Sequence, residues 1–140
     1  MAQSLPQSYK AAVVVNKGQD LILKDLEMRP LIPEGLVAIQ GLDGLGHQAV
    51  QFFSNMGYMI VALSHGESKR DFVLNLGAHD YIDTTKVDPV EKLREMGGAD
   101  MICATAPDPK AISHLVSGLA TGGKLLVLAA VGNIESTRSQ

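Results

Sequence analysis

Six residues, Gly41-Leu-Asp-Gly-Leu-Gly46, constrain this chain more than any other stretch. A short apolar run, Leu36 to Ile39, leads into them and reads as a buried strand. His47 to Met56 comes next with a helical pattern, its Ala49, Val50, Phe52 and Phe53 grouping on one broad face before Gly57 stops it. A glycine turn that leaves a strand and opens a helix is the context a dinucleotide fingerprint requires. Its first glycine permits the tight turn, the second lets a pyrophosphate approach the backbone, and the third lets helix and strand pack closely. Backbone N–H groups and the helix dipole then favour the anion. Gly41 and Gly46 fill the first and third places, but Asp43 stands in the middle one. A carboxylate about 4 Å from a phosphate charge costs roughly 1–4 kcal/mol. That is on the order of 5- to 1000-fold in affinity. Gly44 leaves the loop room to adjust. The plain alternative is a tight strand–helix turn with no ligand.

The same alternation continues to the end of the chain. Strands are expected at Met59 to Leu63, Tyr81-Ile82, Met101 to Ala104 and Lys124 to Ala130. Between them, helices are expected at Ser68 to Leu76, Pro89 to Met96 and Pro109 to Leu119, closed by Gly77, Gly97-Gly98 and Gly122-Gly123. Near-continuous apolar strands alternating with helices imply an α/β fold, a parallel sheet covered on both faces. Right-handed crossovers order its strands 3-2-1-4-5, a Rossmann-like doubly wound sheet. This domain is assigned residues 36–140. Residues 1–35 form a separate piece. Lys10 to Val15 and Leu21 to Leu26 read as a hairpin about Asn16-Lys17-Gly18, and Pro30, Pro33 and Gly35 break any regular element after it. A lone hairpin is only marginally stable in water, so this piece needs a partner surface.

Composition narrows the function. With 46% hydrophobic and 19% charged residues, the chain is too apolar for disorder. A net charge of −3 lacks the basic surplus that nucleic-acid binding uses. One cysteine makes neither an internal disulfide nor a four-thiolate zinc site. The longest apolar run, Leu125 to Val131, is far short of a membrane span, and Met1 to Lys10 has no signal-peptide core. A cytoplasmic setting is the expectation.

An NAD reader would carry an acidic residue at the end of the second strand. This chain has Ser64-His-Gly-Glu-Ser-Lys-Arg70 there. Ser64 can hydrogen-bond a 2′-phosphate and Lys69 and Arg70 can pair with it, which points to NADP(H); Glu67 works against this. The alternative is a solvated helix start with ordinary surface charges. Among metal donors, Cys103 and the histidines at 47, 65, 79 and 114 match no zinc spacing. Cys103 reads as a small apolar filler of a buried strand, and Asp80 and Asp83 as a solvated turn.

Val37 to Phe52, with its glycine turn, resembles the cofactor loop of the zinc-type alcohol dehydrogenases, in the medium-chain dehydrogenase/reductase superfamily. Val61 to Arg70, Leu76 to Asp83, Gly98 to Pro107 and Gly122 to Leu128 extend the likeness in family order. It covers residues 36–132 and is closest to the NADP-dependent, cinnamyl-alcohol-dehydrogenase-like branch. The resemblance implies that Gly41, Asp43, Gly44 and Leu45 fall at the pyrophosphate turn, closed by Gly46. It puts Ser64, His65 and Lys69 at the 2′-phosphate, with Arg70 beside them. Thr105 to Pro107 fall near the cofactor ribose, and Val131 and Gly132 near the nicotinamide. It also implies interconversion of a small-molecule alcohol and its aldehyde with NADP(H).

Residues 9–34 resemble the opening strands of the same family's GroES-like catalytic domain. In a full-length member, a long segment with the zinc ligands and substrate pocket would separate those strands from the cofactor loop. Here Pro33-Glu-Gly-Leu36 joins the pieces directly. The expectation is therefore a truncated member with no zinc, no catalytic residues of its own, no sixth strand and weak or absent turnover. Two other readings compete. One is a non-catalytic nucleotide-binding module that self-associates through the Leu- and Val-rich edge of its fifth strand. The other is a fragmentary gene product. A methyltransferase is disfavoured by the basic segment after the second strand.

Overall fold

The computed structural model describes residues 8–13, 20, 22–27 and 35–135. The chain divides into two units, Met1–Ile32 and Pro33–Gln140. In the first, β1 (Ser8–Val13) pairs antiparallel with β2 (Ile22–Glu27), from Ser8 opposite Glu27 to Val13 opposite Ile22. An ion pair joins Lys10 and Asp25 at 3.2 Å. The hairpin strands lie two residues earlier and one residue later than their apolar runs indicated. Val14, Val15, the Asn16-Lys17-Gly18 turn, Leu21, Pro30 and Pro33 fall outside the described residues.

The second unit alternates strand and helix as the periodicity predicted. Its elements are β3 (Leu36–Gln40), α1 (Leu45–Asn55), β4 (Met59–Ser64), α2 (Arg70–Leu76), β5 (Asp80–Asp83) and α3 (Pro89–Glu95). β6 (Ala99–Ala104), α4 (Pro109–Leu115), a 3-10 turn (Val116–Gly118) and β7 (Leu119–Val127) complete it. The five strands form one parallel sheet in the order β5-β4-β3-β6-β7. Numbered from β3, this is the predicted 3-2-1-4-5.

Central strands are buried on both faces, and alternate side chains feed two cores. Val37, Ile39, Ile60 and Ala62 meet Val50 of α1 and Val73 of α2 on one face. Ala38, Val61, Leu63 and Ile102 meet Leu93 of α3 and Leu115 of α4 on the other. Helix starts are marked chemically. Asp88 and Asp108 accept from the amides of Val90 (2.9 Å) and Ala111 (3.1 Å), each with proline at the next position.

The last strand departs from expectation. Gly122-Gly123 was expected to close a helix ahead of a strand at Lys124 to Ala130. Instead α4 ends at Leu115, and β7 already runs from Leu119 through both glycines. The β6–β7 register shifts between Ala99 and Met101, beside Gly122 with φ +75°. A Cβ on Gly123 would lie 2.7 Å from the Ala99 carbonyl oxygen, so glycine is needed where the strand bulges against its neighbour. Regular pairing stops at Val127 because β6 ends at Ala104, with the Leu128 amide making one last bond to the Ala104 carbonyl at 2.8 Å. Leu128 to Ala130 lie past the strand.

Candidate functional site

β3 has neighbours whose connections depart in opposite directions, β4 on one side and β6 on the other. Open parallel sheets bind ligands at such a switch point, beyond the carboxyl ends of the strands. A cleft of about 410 Å³ lies there, lined by Gly41, Asp43, Ser64, His65, Ala106 and Pro107 among others.

The glycines of the turn divide their work. Gly41 has φ +85°, and a Cβ on it would lie 2.8 Å from the Ala106 Cβ. A Cβ on Gly46 would lie 1.9 Å from the Gly41 carbonyl oxygen. Both positions are therefore closed by the protein's own packing. Gly44 is the opposite case, with φ +47° and no atom within 4 Å of a Cβ placed there. It faces open space at the start of α1, beside exposed Leu45. The turn is pinned from β6: the Thr105 hydroxyl lies 2.9 Å from the Gln40 carbonyl and 3.0 Å from that of Gly41. Gln40, almost buried, accepts from the Ala106 amide through Oε1 at 3.1 Å.

The segment after β4 is held from β5. Asp83 is only 7% exposed, which corrects its assignment to a solvated turn. Its carboxylate accepts from the Thr85 hydroxyl (2.6 Å), the Thr85 amide (2.9 Å) and the Gly66 amide (2.9 Å). The Thr85 hydroxyl first, then the Thr85 amide, and less strongly the Gly66 amide, hold this carboxyl below the usual range. The Tyr81 hydroxyl donates to the Gly66 carbonyl, and burial pushes that phenol up. His65 Nδ1 lies 2.7 Å from the Thr84 hydroxyl oxygen.

Two lysines approach this segment, each with a carboxylate partner. Lys69, immediately before α2, forms an ion pair with Asp43 of the glycine turn. Lys86 pairs with Glu67 at 2.7 Å, which raises the lysine's pKa and occupies the one acidic side chain that counted against a phosphate there. At the far rim, His114 Nε2 lies 2.8 Å from Asp88 Oδ1.

The structure thus brings together Gly41, Asp43, Ser64 and His65 on the cleft, with Lys69 tied to it through Asp43. Gly44, Leu45 and Gly46 complete the turn, and Thr105 stands behind it. Arg70 is exposed at the first position of α2. Val131 and Gly132 lie beyond β7 and are not among the residues lining the cleft. Sequence reasoning missed Gln40, Asp83, Thr84 and Lys86. Apart from the Asp83–Thr85 contact, their side-chain partners lie 17 or more residues away, so no local pattern carries them.

Metal donors stay apart. Cys103 is fully buried in β6, and burial pushes its thiol up. His79 uses Nδ1 to accept from the Ile60 amide at 3.0 Å, between the ends of two strands. Among the described residues no three His, Cys, Asp or Glu side chains are grouped to hold a metal ion. No helix among them is long and apolar enough to cross a membrane.

The sequence profile of a family described as zinc-binding dehydrogenase matches residues 44–139. The alcohol dehydrogenase patD of Penicillium expansum is 54% identical over 105 residues, 74% of this chain and 31% of that protein. The alcohol dehydrogenase notN of an Aspergillus species is 46% identical over 98 residues, 70% of this chain and 29% of that protein. The chain therefore spans less than a third of the length of these curated relatives. Among solved structures, the alcohol dehydrogenase of Aeropyrum pernix superposes with a TM-score of 0.69 at 28% identity, covering 75% of this chain and 31% of that one.

Proposed function

The chain belongs to the zinc-binding dehydrogenase family, and on that footing we propose that it is an NADP(H)-binding part of an alcohol dehydrogenase-like oxidoreductase. One observation carries the reading. A single cleft joins the open glycine turn to Ser64 and His65, and Ser64 stands where an NAD reader would place an acid. In this reading the amides about Gly44 face the pyrophosphate, where open space and a positive φ leave room for it. Ser64, His65, Lys69 and Arg70 hold the 2′-phosphate, and Thr105 keeps the turn in place beside the ribose. Val131 is assigned to the nicotinamide end. The bound nicotinamide would supply a hydride to, or take one from, a small aldehyde or alcohol.

The described residues do not fit a catalytic zinc, which needs three protein ligands and an open position. Cys103 is sealed within the sheet, and His65, His79 and His114 each already meet a polar group of the chain. We therefore propose weak or absent turnover for these 140 residues alone. A fluorescence titration with NADPH beside NADH tests the binding. Saturable binding, tighter for NADPH, is expected, and binding of neither overturns the reading. Rates typical of dehydrogenases with aliphatic or aromatic aldehydes would overturn the expectation on turnover.

A further inference from the structure

Lys69 is the cation on which the 2′-phosphate reading leans most, and its ammonium already has a carboxylate partner. Asp43 projects from the turn between β3 and α1, and Lys69 stands 26 residues further on, just before α2. Their side chains meet as an ion pair, although that of Asp43 is 92% exposed. The Asp43 carboxylate makes no other hydrogen bond among the described residues. It occupies the motif position where a close phosphate wants no side chain at all.

We infer that Asp43 sets cofactor selectivity by holding Lys69 as its internal counter-ion and competing with a 2′-phosphate for the same ammonium. The inference rests on the NADP(H) reading of the cleft. A dinucleotide without a 2′-phosphate leaves the pair intact, so the Asp43 charge near the pyrophosphate stays offset. A dinucleotide with one draws Lys69 away. It exchanges one ion pair for another and uncovers a carboxylate close to the pyrophosphate. Asp43 therefore narrows the preference for NADPH below what Lys69 alone would give. Exposed ion pairs are worth up to about fivefold in an equilibrium constant, which sets the size of the effect. The carboxylate is thus a selectivity device rather than a simple defect in the fingerprint.

The test measures dissociation constants of NADPH and NADH for the full chain and for Asp43→Asn, Lys69→Gln and the double variant. Thermal melts of all four check that folding is kept, as the exposure of the Asp43 side chain leads us to expect. The NADH-to-NADPH ratio of dissociation constants should rise about two- to fivefold on Asp43→Asn when Lys69 is present. It should not change on Asp43→Asn when position 69 is glutamine. An equal rise in both backgrounds would mean that Asp43 acts on the nucleotide directly, and the inference falls. A wild-type NADPH preference that Lys69→Gln abolishes but Asp43→Asn leaves unchanged would keep the proposed function and remove the competition. Binding of neither nucleotide by any of the four proteins, or equal binding that Lys69→Gln does not alter, would overturn both.

Discussion

Gly46 and Asp83 show how single residues set up the cleft without touching anything in it. A methyl on Gly46 would sit 1.9 Å from the Gly41 carbonyl oxygen, a contact that backbone alone must relieve. Overpacking of this kind costs about 1–3 kcal/mol. Gly46→Ala should therefore lower the melting temperature by several degrees, read by circular dichroism. Asp83 carries a pH consequence. Its folded pKa lies below the ordinary aspartate value of about 3.9 because the Thr85 hydroxyl, then the Thr85 amide and the Gly66 amide, stabilise the carboxylate. The stability this supplies is fully present above the unfolded pKa and is lost as pH falls through the lower folded one. Melting temperature followed from pH 6 down to about 2 should drop through that acid window, and Asp83→Asn should flatten the drop. Asp88, lowered chiefly by its His114 contact, contributes in the same direction and should remain in that variant. Gly41 and Gly46 were legible in the sequence because the strand–turn–helix spacing is a local rule. Asp83 was not, since the Gly66 amide it holds lies 17 residues back and a short charged strand looks like a turn when read alone.

Among elements, the two edges of the sheet differ sharply. β5 is four residues long and has an aspartate at each end. β7 is nine residues long, and Leu126 and, just past it, Leu128 are 40% and 46% exposed. Short charged edges resist pairing with another chain, whereas long apolar ones invite it. Within the described residues β7 pairs on one side only, with β6. We propose that the chain self-associates through this strand. Its mass by light scattering should then rise with concentration, and Leu126→Lys should move that rise to higher concentration; a strict monomer at all concentrations would count against it. The strand's extent was the element least legible from sequence, because Gly122-Gly123 serves a helix stop and a bulge equally well. Only the pairing partner decides between them, and β6 lies some twenty residues earlier. The starts of α3 and α4 were legible, because Pro89 and Pro109 announce them, whereas α1 begins two residues before and α2 two residues after the expected positions, with no side-chain cap at either. Asp108→Ala should cost about 1 kcal/mol through the lost cap, measured by urea unfolding.

At the scale of the molecule, both cores are made of residues between Leu36 and Leu125. A chain beginning at Pro33 should keep one cooperative thermal transition. Under the proposed function, that transition should move upward with NADPH. At one hundred times the dissociation constant, ligand linkage supplies about 2.7 kcal/mol. An unmoved transition at saturating NADPH would contradict it. The order of strands was legible because handedness and short connections leave few topologies for a β-α-β alternation. The pairing of cations with carboxylates was not, since Asp43 and Lys69, like Glu67 and Lys86, come from different crossovers.

That strand order also governs how the chain is born. β3 sits at the centre of the sheet, yet one of its two neighbours, β6, comes about sixty residues after it. At a synthesis rate of roughly 5–20 residues per second, β3 waits about 3–12 seconds on the ribosome before β6 exists to close its open side. Until then one side of the central strand has no strand to pair with. Chaperone occupancy of nascent chains that carry β3 and β4 but not yet β6 is where the delay would register.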